Sequence, residues 1–460
     1  MDETIQLNVQ QENALRLICN EHASVFVTGS AGTGKSVLLR KVVATLPNVA
    51  VIAPTGIAAI NVGGRTMHSF FGLGIAAKTV QQLVSISSSK RPLKSALQKI
   101  QTIVIDEISM VTPKLFVVAD LICRACRGKH TLPFGGIQIV CFGDFAQLPP
   151  VITTADAEDN LQDNLLQQWL LTPPDAKFVF DTRSWTETIG SRGIMLTQSM
   201  RQTTTDPRFF EALESIRRGH LTPEANQLLS SRVIPLPWSD GIEPTHLVPL
   251  RAQAASINES RLAELPGDEF YLNAKIAVHG SGWRAKNARN DISASDTLER
   301  YSRFPFRLNL KVGAQVMLLV NKADCGLSNG SRGVVTSIIP SSTLPDVISL
   351  VIVQFESTTI AIDVDRDEVD LGRSSEASSS HRDTIVVDQI PLQLAWAATI
   401  HKAQGLTLDR ASISLSDAFA PGQAYVALSR VRNLESLVLL ETIPEHVVFC
   451  DDRVSSFYNF

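Results

Sequence analysis

From Ser24 to about Leu196, short apolar runs alternate with helix-length segments: Val25–Thr28, Val49–Ala53, Ile103–Ile105, Ile139–Phe142 and Ile194–Leu196. Runs of that length read as strands, and strands separated by helices predict a parallel sheet covered by helices. A second set follows at His246–Val248, Ile413–Leu415 and Leu437–Leu440, with a helical pattern between Gln423 and Arg430. It predicts a second α/β domain. Between the two sets lies a stretch from about Leu310 to Val387, rich in Val, Ile and Thr, with turn signals at Asn329-Gly330 and Arg332-Gly333. This reads as antiparallel strands forming a small β insertion. The expected organisation is a first domain over 1–235 with a short insertion near 72–100, and a second over 236–460 carrying the β insertion at 310–390. Asp156–Asn164 and the serine tract Ser374–Ser380 read as exposed loops.

Composition narrows the class. With 44% hydrophobic and 19% charged residues in 460, the chain fits a soluble globular protein and not a disordered one. Its apolar runs are strand-sized, far short of the about 20 residues that span a membrane. The formal net charge of -4 gives nucleic acid no global attraction, so such affinity must come from local patches. Two candidates are Lys90, Arg91, Lys94 and Lys99, and Arg124, Arg127, Lys129 and His130. Clusters like these are more often solvated faces. The six cysteines are scattered, with no secretory segment before them, which points to a reducing compartment. Cys123 and Cys126 form a CxxC near His130, but no second ligand pair follows at zinc spacing, so a plain helix without structural metal is expected. The first recognisable motif begins within a dozen residues of Met1, so no presequence is expected. An intracellular protein is the reading, nuclear in a eukaryote and cytoplasmic in a prokaryote.

The chemistry starts at Gly29-Ser30-Ala31-Gly32-Thr33-Gly34-Lys35-Ser36, which follows a predicted strand and opens the apolar helical stretch Val37–Val43. That is the setting of a phosphate-binding P-loop. The glycines let backbone N–H groups close around phosphate oxygens, Lys35 supplies charge to the β and γ phosphates, and the Ser36 hydroxyl is placed to ligate magnesium. Ile103-Val104-Ile105-Asp106-Glu107 is a buried-looking strand ending in two acids. Asp106 suits magnesium, and Glu107 suits orientation or deprotonation of an attacking water. Together these residues indicate a P-loop ATPase, without saying what work it does.

Further segments, taken in order, resemble the petite-integration-frequency (Pif-one) DNA helicases, within the RecD-like group of superfamily one. They are Ala53-Pro54-Thr55-Gly56, His68-Ser69-Phe70-Phe71-Gly72, Pro133-Phe134-Gly135-Gly136, Gly143-Asp144-Phe145-Ala146-Gln147-Leu148-Pro149-Pro150, Arg201-Gln202, Thr399-Ile400-His401-Lys402-Ala403-Gln404-Gly405 and Tyr425-Val426-Ala427-Leu428-Ser429-Arg430. The resemblance runs from about Leu7 to Leu440. It implies an α/β fold of two RecA-like domains with ATP between them, a small SH3-like β insertion in the second, and Mg2+-dependent ATP hydrolysis. It also implies 5′-to-3′ movement on single-stranded DNA, unwinding of tailed or forked duplex, a monomer, and roles in DNA repair, recombination and telomere maintenance.

The resemblance also assigns residues. Gln11 matches the glutamine that reads adenine, Gln147 a sensor of the γ phosphate, and Arg430 and Arg201 the cations that stabilise the transferring phosphoryl group. Thr55, His68, Phe70, Phe71, Thr399, His401 and Lys402 fall in motifs that line the strand channel, where an extended strand needs phosphate donors and flat faces for its bases. Of Phe70 and Phe71, only one is expected to touch a base. The acidic stretch Asp156–Asn164, with its extension to Leu171, and the serine tract depart from the family pattern. Three other readings compete: a nucleotide-gated single-strand-binding scaffold with weak catalysis, a metabolic P-loop kinase, which would not explain the second-domain motifs, and a helicase of a mobile element or phage.

Overall fold

The computed structural model describes residues 7–73, 78–152, 154–172, 175–198, 206–236, 243–279, 302, 304–327, 329–340, 348–356, 358–373 and 382–460. Contacts divide the chain into two compact units, Met1–Phe210 with Cys450–Phe460, and Glu211–Phe449.

The first unit is built on a parallel sheet of β1 (Val25–Gly29), β2 (Val49–Ala53), β3 (Arg65–Thr66), β4 (Thr102–Ile105), β5 (Gln138–Phe142) and β6 (Gly193–Leu196), in the order β3-β2-β4-β5-β1-β6. Side chains alternate across a strand, so each central strand feeds two cores. Val25, Val27, Val104, Val140 and Phe142 face one side, where the helix Lys35–Thr45 brings Leu38, Leu39 and Val42. Phe26, Ile103, Ile105, Ile139 and Cys141 face the other, covered by the helix Pro113–Arg127. All five strands foreseen here are present; the edge strand β3, two residues long, left no apolar run to read.

Two local expectations need correction, and a third, the plain helix at Cys123 and Cys126, is met. The acidic stretch is helical, with Thr154–Gln162 followed by Asn164–Trp169. Asp163 makes the change of direction: it is 2% exposed, caps the second helix by accepting from Leu166 N at 3.2 Å, and also accepts from Val80 N at 2.6 Å. The cluster around Arg124 is solvated only at Lys129 and His130. Arg124 is buried and paired with Asp120 at 2.7 Å and Glu187 at 2.6 Å, while Arg127 donates to the carbonyls of Leu97 and Ile100. Cys123 and Cys126 lie on the helix Pro113–Arg127 as core residues, their thiols pushed up chiefly by burial.

The second unit has its own parallel sheet, ordered Ala397–Thr399, Thr245–Val248, Ala411–Ile413 and Leu437–Leu439. The third of these begins and ends two residues before the expected Ile413–Leu415. Glu441 explains the early end, because its Oε1 accepts from Ser414 Oγ, Leu415 N and Ser416 N and folds that segment into a turn. The expected domain limit at 235 falls inside this unit, where Val233 bridges Leu439 and Arg232 donates to Leu437 O at 2.9 Å.

The β insertion contains antiparallel sheets around one apolar core. A five-stranded sheet runs Thr359–Asp363, Ile348–Phe355, Arg332–Pro340, Gln315–Leu318 and Leu392–Leu394. It recruits more chain than expected, since Lys275–His279 pairs with Arg382–Gln389, and Phe270–Asn273 with Arg307–Leu310. Gly333 permits the close approach of two of its strands: a Cβ there would meet Gln354 O at 2.6 Å. The serine tract lies outside the described residues.

Candidate nucleotide site and strand-binding elements

β1 ends at Gly29, whose φ of +149° and contact with β6 both demand glycine, because an added Cβ would sit 2.3 Å from Leu196 O. The loop then turns through Gly32 and Gly34, each at φ 83°, into the helix starting at Lys35. Gly34 occupies the left-handed region at the helix N-cap, with no side-chain cap, so the first N–H groups of that helix stay directed at the loop. Ser30, Ala31 and Thr33 are buried, and Thr33 Oγ1 donates back to Ser30 O at 2.9 Å, closing the turn. Lys35 Nζ donates to Gly29 O at 2.6 Å and Ser30 O at 3.0 Å. Ser36 follows on the first helical turn with an exposed side chain.

Gln11 is fully buried behind this loop. Its Nε2 donates to Thr33 O at 3.3 Å and Gly34 O at 3.4 Å, and its Oε1 accepts from Asn8 N at 3.0 Å. Both ends of the amide are thus engaged with protein. The structure makes Gln11 a brace of the loop.

Asp106 and Glu107 stand at the end of β4, beside the ends of β5 and β1. Burial, and then the Glu107 carboxylate, push the Asp106 carboxyl up to about 7, against the opposing effects of the Glu107 N–H and the Lys35 ammonium. Glu107 holds φ 49° and ψ 47°, a left-handed conformation that costs a non-glycine residue roughly 1–2 kcal/mol. Gly143, at the end of β5, packs its backbone on this strained turn, where a Cβ would meet Ile108 N at 3.0 Å. Asp144 then caps the next turn by accepting from Ala146 N, and Gln147, 6% exposed, donates its N–H to Asp144 O at 3.0 Å. Lys35, Asp106, Glu107 and Gln147 therefore sit at the C-terminal ends of adjacent parallel strands, where open α/β sheets bind ligands.

The strand-binding candidates form two groups, one in each unit. In the first, Thr55 follows β2 and accepts from Ala58 N at 3.2 Å at the start of the helix Gly56–Asn61. His68, Phe70 and Phe71 lie on the helix Met67–Phe71. The two rings meet edge to face at 4.9 Å. Phe71 is fully buried in the core, so it has no face to offer a base; Phe70 is half-buried and His68 exposed. In the second group, Thr399 ends a strand and accepts from Lys402 N at 3.2 Å to cap the helix Ile400–Ala403. Lys402 is exposed, and His401 stacks near Phe419 at 6.5 Å. Burial, then the Arg251 guanidinium, hold the His401 imidazole below its ordinary range.

Arg430 is 5% exposed and bound within its own unit, donating to Val426 O at 2.7 Å, Leu406 O at 3.1 Å and Ser429 Oγ at 2.8 Å. The expected Gln423–Arg430 helix ends at Leu428, with Ser429 as its C-cap. Arg201 lies outside the described residues. Residues that sequence reasoning passed over include Gln10, whose amide pairs with Thr197 Oγ1 at 2.8 Å and Thr197 N at 2.9 Å, and Tyr458, which contacts Thr28, Asp144 and Phe145. The repeated glutamine at 10 and 11 was the only signal for the first, and the second had none.

A glycine loop opening a helix, with paired acids at a neighbouring strand end of a parallel sheet, defines a P-loop NTPase of RecA-like α/β architecture. The chain belongs to the PIF1-like helicase family, whose model matches residues 6–226, and a model of the DNA helicase Pif1 2B domain matches residues 302–338. It is 37% identical to human ATP-dependent DNA helicase PIF1 across 98% of its own length, and spans 63% of that relative. The crystal structure of Pif1 helicase from Candida albicans is 30% identical, with a TM-score of 0.80 over 99% of each chain. Bacteroides Pif1 in complex with ADP-AlF3 and ssDNA is 30% identical, with a TM-score of 0.69 over 99% of this chain and 97% of that one. A further solved structure, at a TM-score of 0.68 and 30% identity over 99% of this chain and 97% of that one, concerns unwinding at forked dsDNA by two coordinating Pif1 helicases.

Proposed function

We propose that the chain is an ATP-dependent DNA helicase that moves 5′-to-3′ along single-stranded DNA and separates tailed or forked duplex. The observation that carries this reading is the convergence of Lys35, Asp106, Glu107 and Gln147 on adjacent strand ends, in a chain whose solved relative holds ADP-AlF3 and ssDNA together. Backbone N–H groups of 30–36 and the Lys35 ammonium bind the phosphates and orient them. Glu107 accepts the proton of the attacking water, and Gln147 contacts the terminal phosphate from its buried turn.

The donor set fits magnesium. Asp106 and the Ser36 hydroxyl are hard oxygen ligands of the kind magnesium takes. When bound, the ion neutralises developing charge on the phosphates. Thr55, Phe70, His68, Thr399, His401 and Lys402 supply the strand-binding side, with phosphate donors and partly exposed rings. Polarity and roles in repair, recombination and telomere maintenance rest on family membership alone. A monomer gains no support from the relatives, one of which acts as two coordinating copies.

The test is magnesium-dependent ATP hydrolysis with and without single-stranded DNA, beside Glu107→Gln, followed by unwinding of duplexes with a 5′ or a 3′ tail. Strong stimulation by DNA, lost in the variant by about 100-fold or more, together with unwinding only from the 5′ tail, is the expected result. Hydrolysis indifferent to DNA in folded protein removes the motor reading and favours the scaffold. Unwinding from the 3′ tail reverses the polarity.

A further inference from the structure

The chain leaves the first unit at Phe210 and returns to it at Cys450, ending in a seven-residue helix, Asp452–Tyr458, that no motif covers. The helix is well anchored. Arg453 pairs with Asp181 at 3.0 Å, Lys177 with Asp451 at 3.6 Å, and Val454 is buried in the main core. Phe457 enters an aromatic cluster, stacked on Phe180 at 4.6 Å and edge-on to Phe145 at 5.3 Å. Phe145 lies in the turn that carries Gln147, and it packs against Phe26 of β1 at 5.0 Å.

The last helical residue reaches further than packing requires. The Tyr458 hydroxyl lies 2.7 Å from Thr28 Oγ1, accepts from Phe145 N at 3.1 Å, and donates to Asp144 Oδ1 at 3.4 Å. Thr28 immediately precedes Gly29, the first residue of the phosphate loop, and Asp144 caps the turn leading to Gln147. One phenol oxygen therefore joins the strand that delivers Lys35 to the turn that delivers Gln147. A phenol suits the task, with one donor and two acceptor positions filled by these three partners.

We propose that Tyr458 is a positioning residue of the nucleotide site, holding the phosphate loop and the Gln147 turn in register so that both address one terminal phosphate. This rests on the ATPase reading above and adds to it a dependence on the chain's last helix. Misplacement of a reacting group by about 1 Å costs on the order of 100-fold in rate, so a loosened register acts on turnover more than on nucleotide capture.

The variant Tyr458→Phe keeps the ring and its stacking on Phe460 at 5.1 Å and removes only the hydroxyl. Its hydrogen exchange should rise in both 24–34 and 143–147, while kcat for DNA-stimulated hydrolysis falls about ten-fold with KM for ATP nearly unchanged. Thr28→Val should reproduce the fall in kcat, and the double variant should be no slower than the worse single one, since both break one link. Exchange that changes only in 451–460, a kcat equal to the parent's, or additive losses in the double variant overturns the proposal. A parent without DNA-stimulated hydrolysis sinks the functional reading instead, and the exchange experiment still decides whether the hydroxyl couples the two segments.

Discussion

Each unit carries a parallel strand that turns into a helix, and the two turns differ in length and chemistry. In the first unit β1 passes through residues 30–34 before the helix Lys35–Thr45, with two glycines of that loop at φ 83°. In the second, Thr245–Val248 passes only through Pro249 and Leu250 before the helix Arg251–Glu264, and Gln253 folds back to accept from Leu250 N at 3.4 Å. Both arrangements present a helix N-terminus at the C-terminal end of a sheet. Only the first turn has the glycine backbone form that groups N–H donors around a phosphate, while the short turn has no glycine at all. Shared architecture thus leaves the nucleotide chemistry to one turn.

The largest effect expected from breaking this difference belongs to Gly29→Ala. Its Cβ meets a backbone oxygen at 2.3 Å, which cannot rotate away as a side chain would, so the loop or β6 must shift. ATP hydrolysis should fall by about 100-fold or more, and added nucleotide should no longer raise the melting temperature. The counterpart Leu250→Gly should leave hydrolysis at the parent's level. Equal losses in both variants would show that the two turns are functionally alike.

A second effect, on stability instead of turnover, concerns an arginine that the family resemblance ties to catalysis. Arg430 is buried, and its guanidinium ties together carbonyls of two segments and the Ser429 hydroxyl. Arg430→Ala leaves buried acceptors without a donor and should cost about 3 kcal/mol by urea unfolding. Arg430→Lys should recover only part of this, because one ammonium cannot reproduce the planar fork. An unfolding midpoint that does not move in Arg430→Ala would free this residue from its structural duty.

The parallel sheets were legible because their strands are short, wholly apolar and bounded by helices, as at Val25–Thr28 and Ile139–Phe142. The phosphate loop was legible for a different reason: its backbone geometry demands glycine at fixed spacing, as Gly29, Gly32 and Gly34 show. Tertiary partnerships were not legible. Nothing local marks Asp163 as a buried cap shared with Val80, Arg124 as the partner of Asp120, or Tyr458 as a contact of Thr28 across most of the chain. The same limit explains Phe70 and Phe71, where adjacent rings on one short helix point one into the core and one partly out of it. Gln11 was found through its family motif, while its bracing of the loop's carbonyls was not foreseen, since the partners of a buried amide are set by the fold.

The smallest effects test where the two units are alike instead of different. Thr55, just after a strand, and Thr399, the last residue of one, each cap a short helix through the third N–H beyond them, both at 3.2 Å. Losing such a cap costs about 1 kcal/mol, so Thr55→Ala and Thr399→Ala should each lower stability by that amount. If these turns also present backbone and hydroxyl groups to a single strand, each variant should weaken single-stranded DNA binding about five-fold, the equivalent of about 1 kcal/mol. Fluorescence anisotropy with a labelled oligonucleotide measures this directly. Serine keeps the hydroxyl, so Thr55→Ser and Thr399→Ser should bind nearly as well as the parent. A loss confined to one of the two alanine variants would mean that the matching caps are shared folding hardware, and that the strand is gripped from one unit alone.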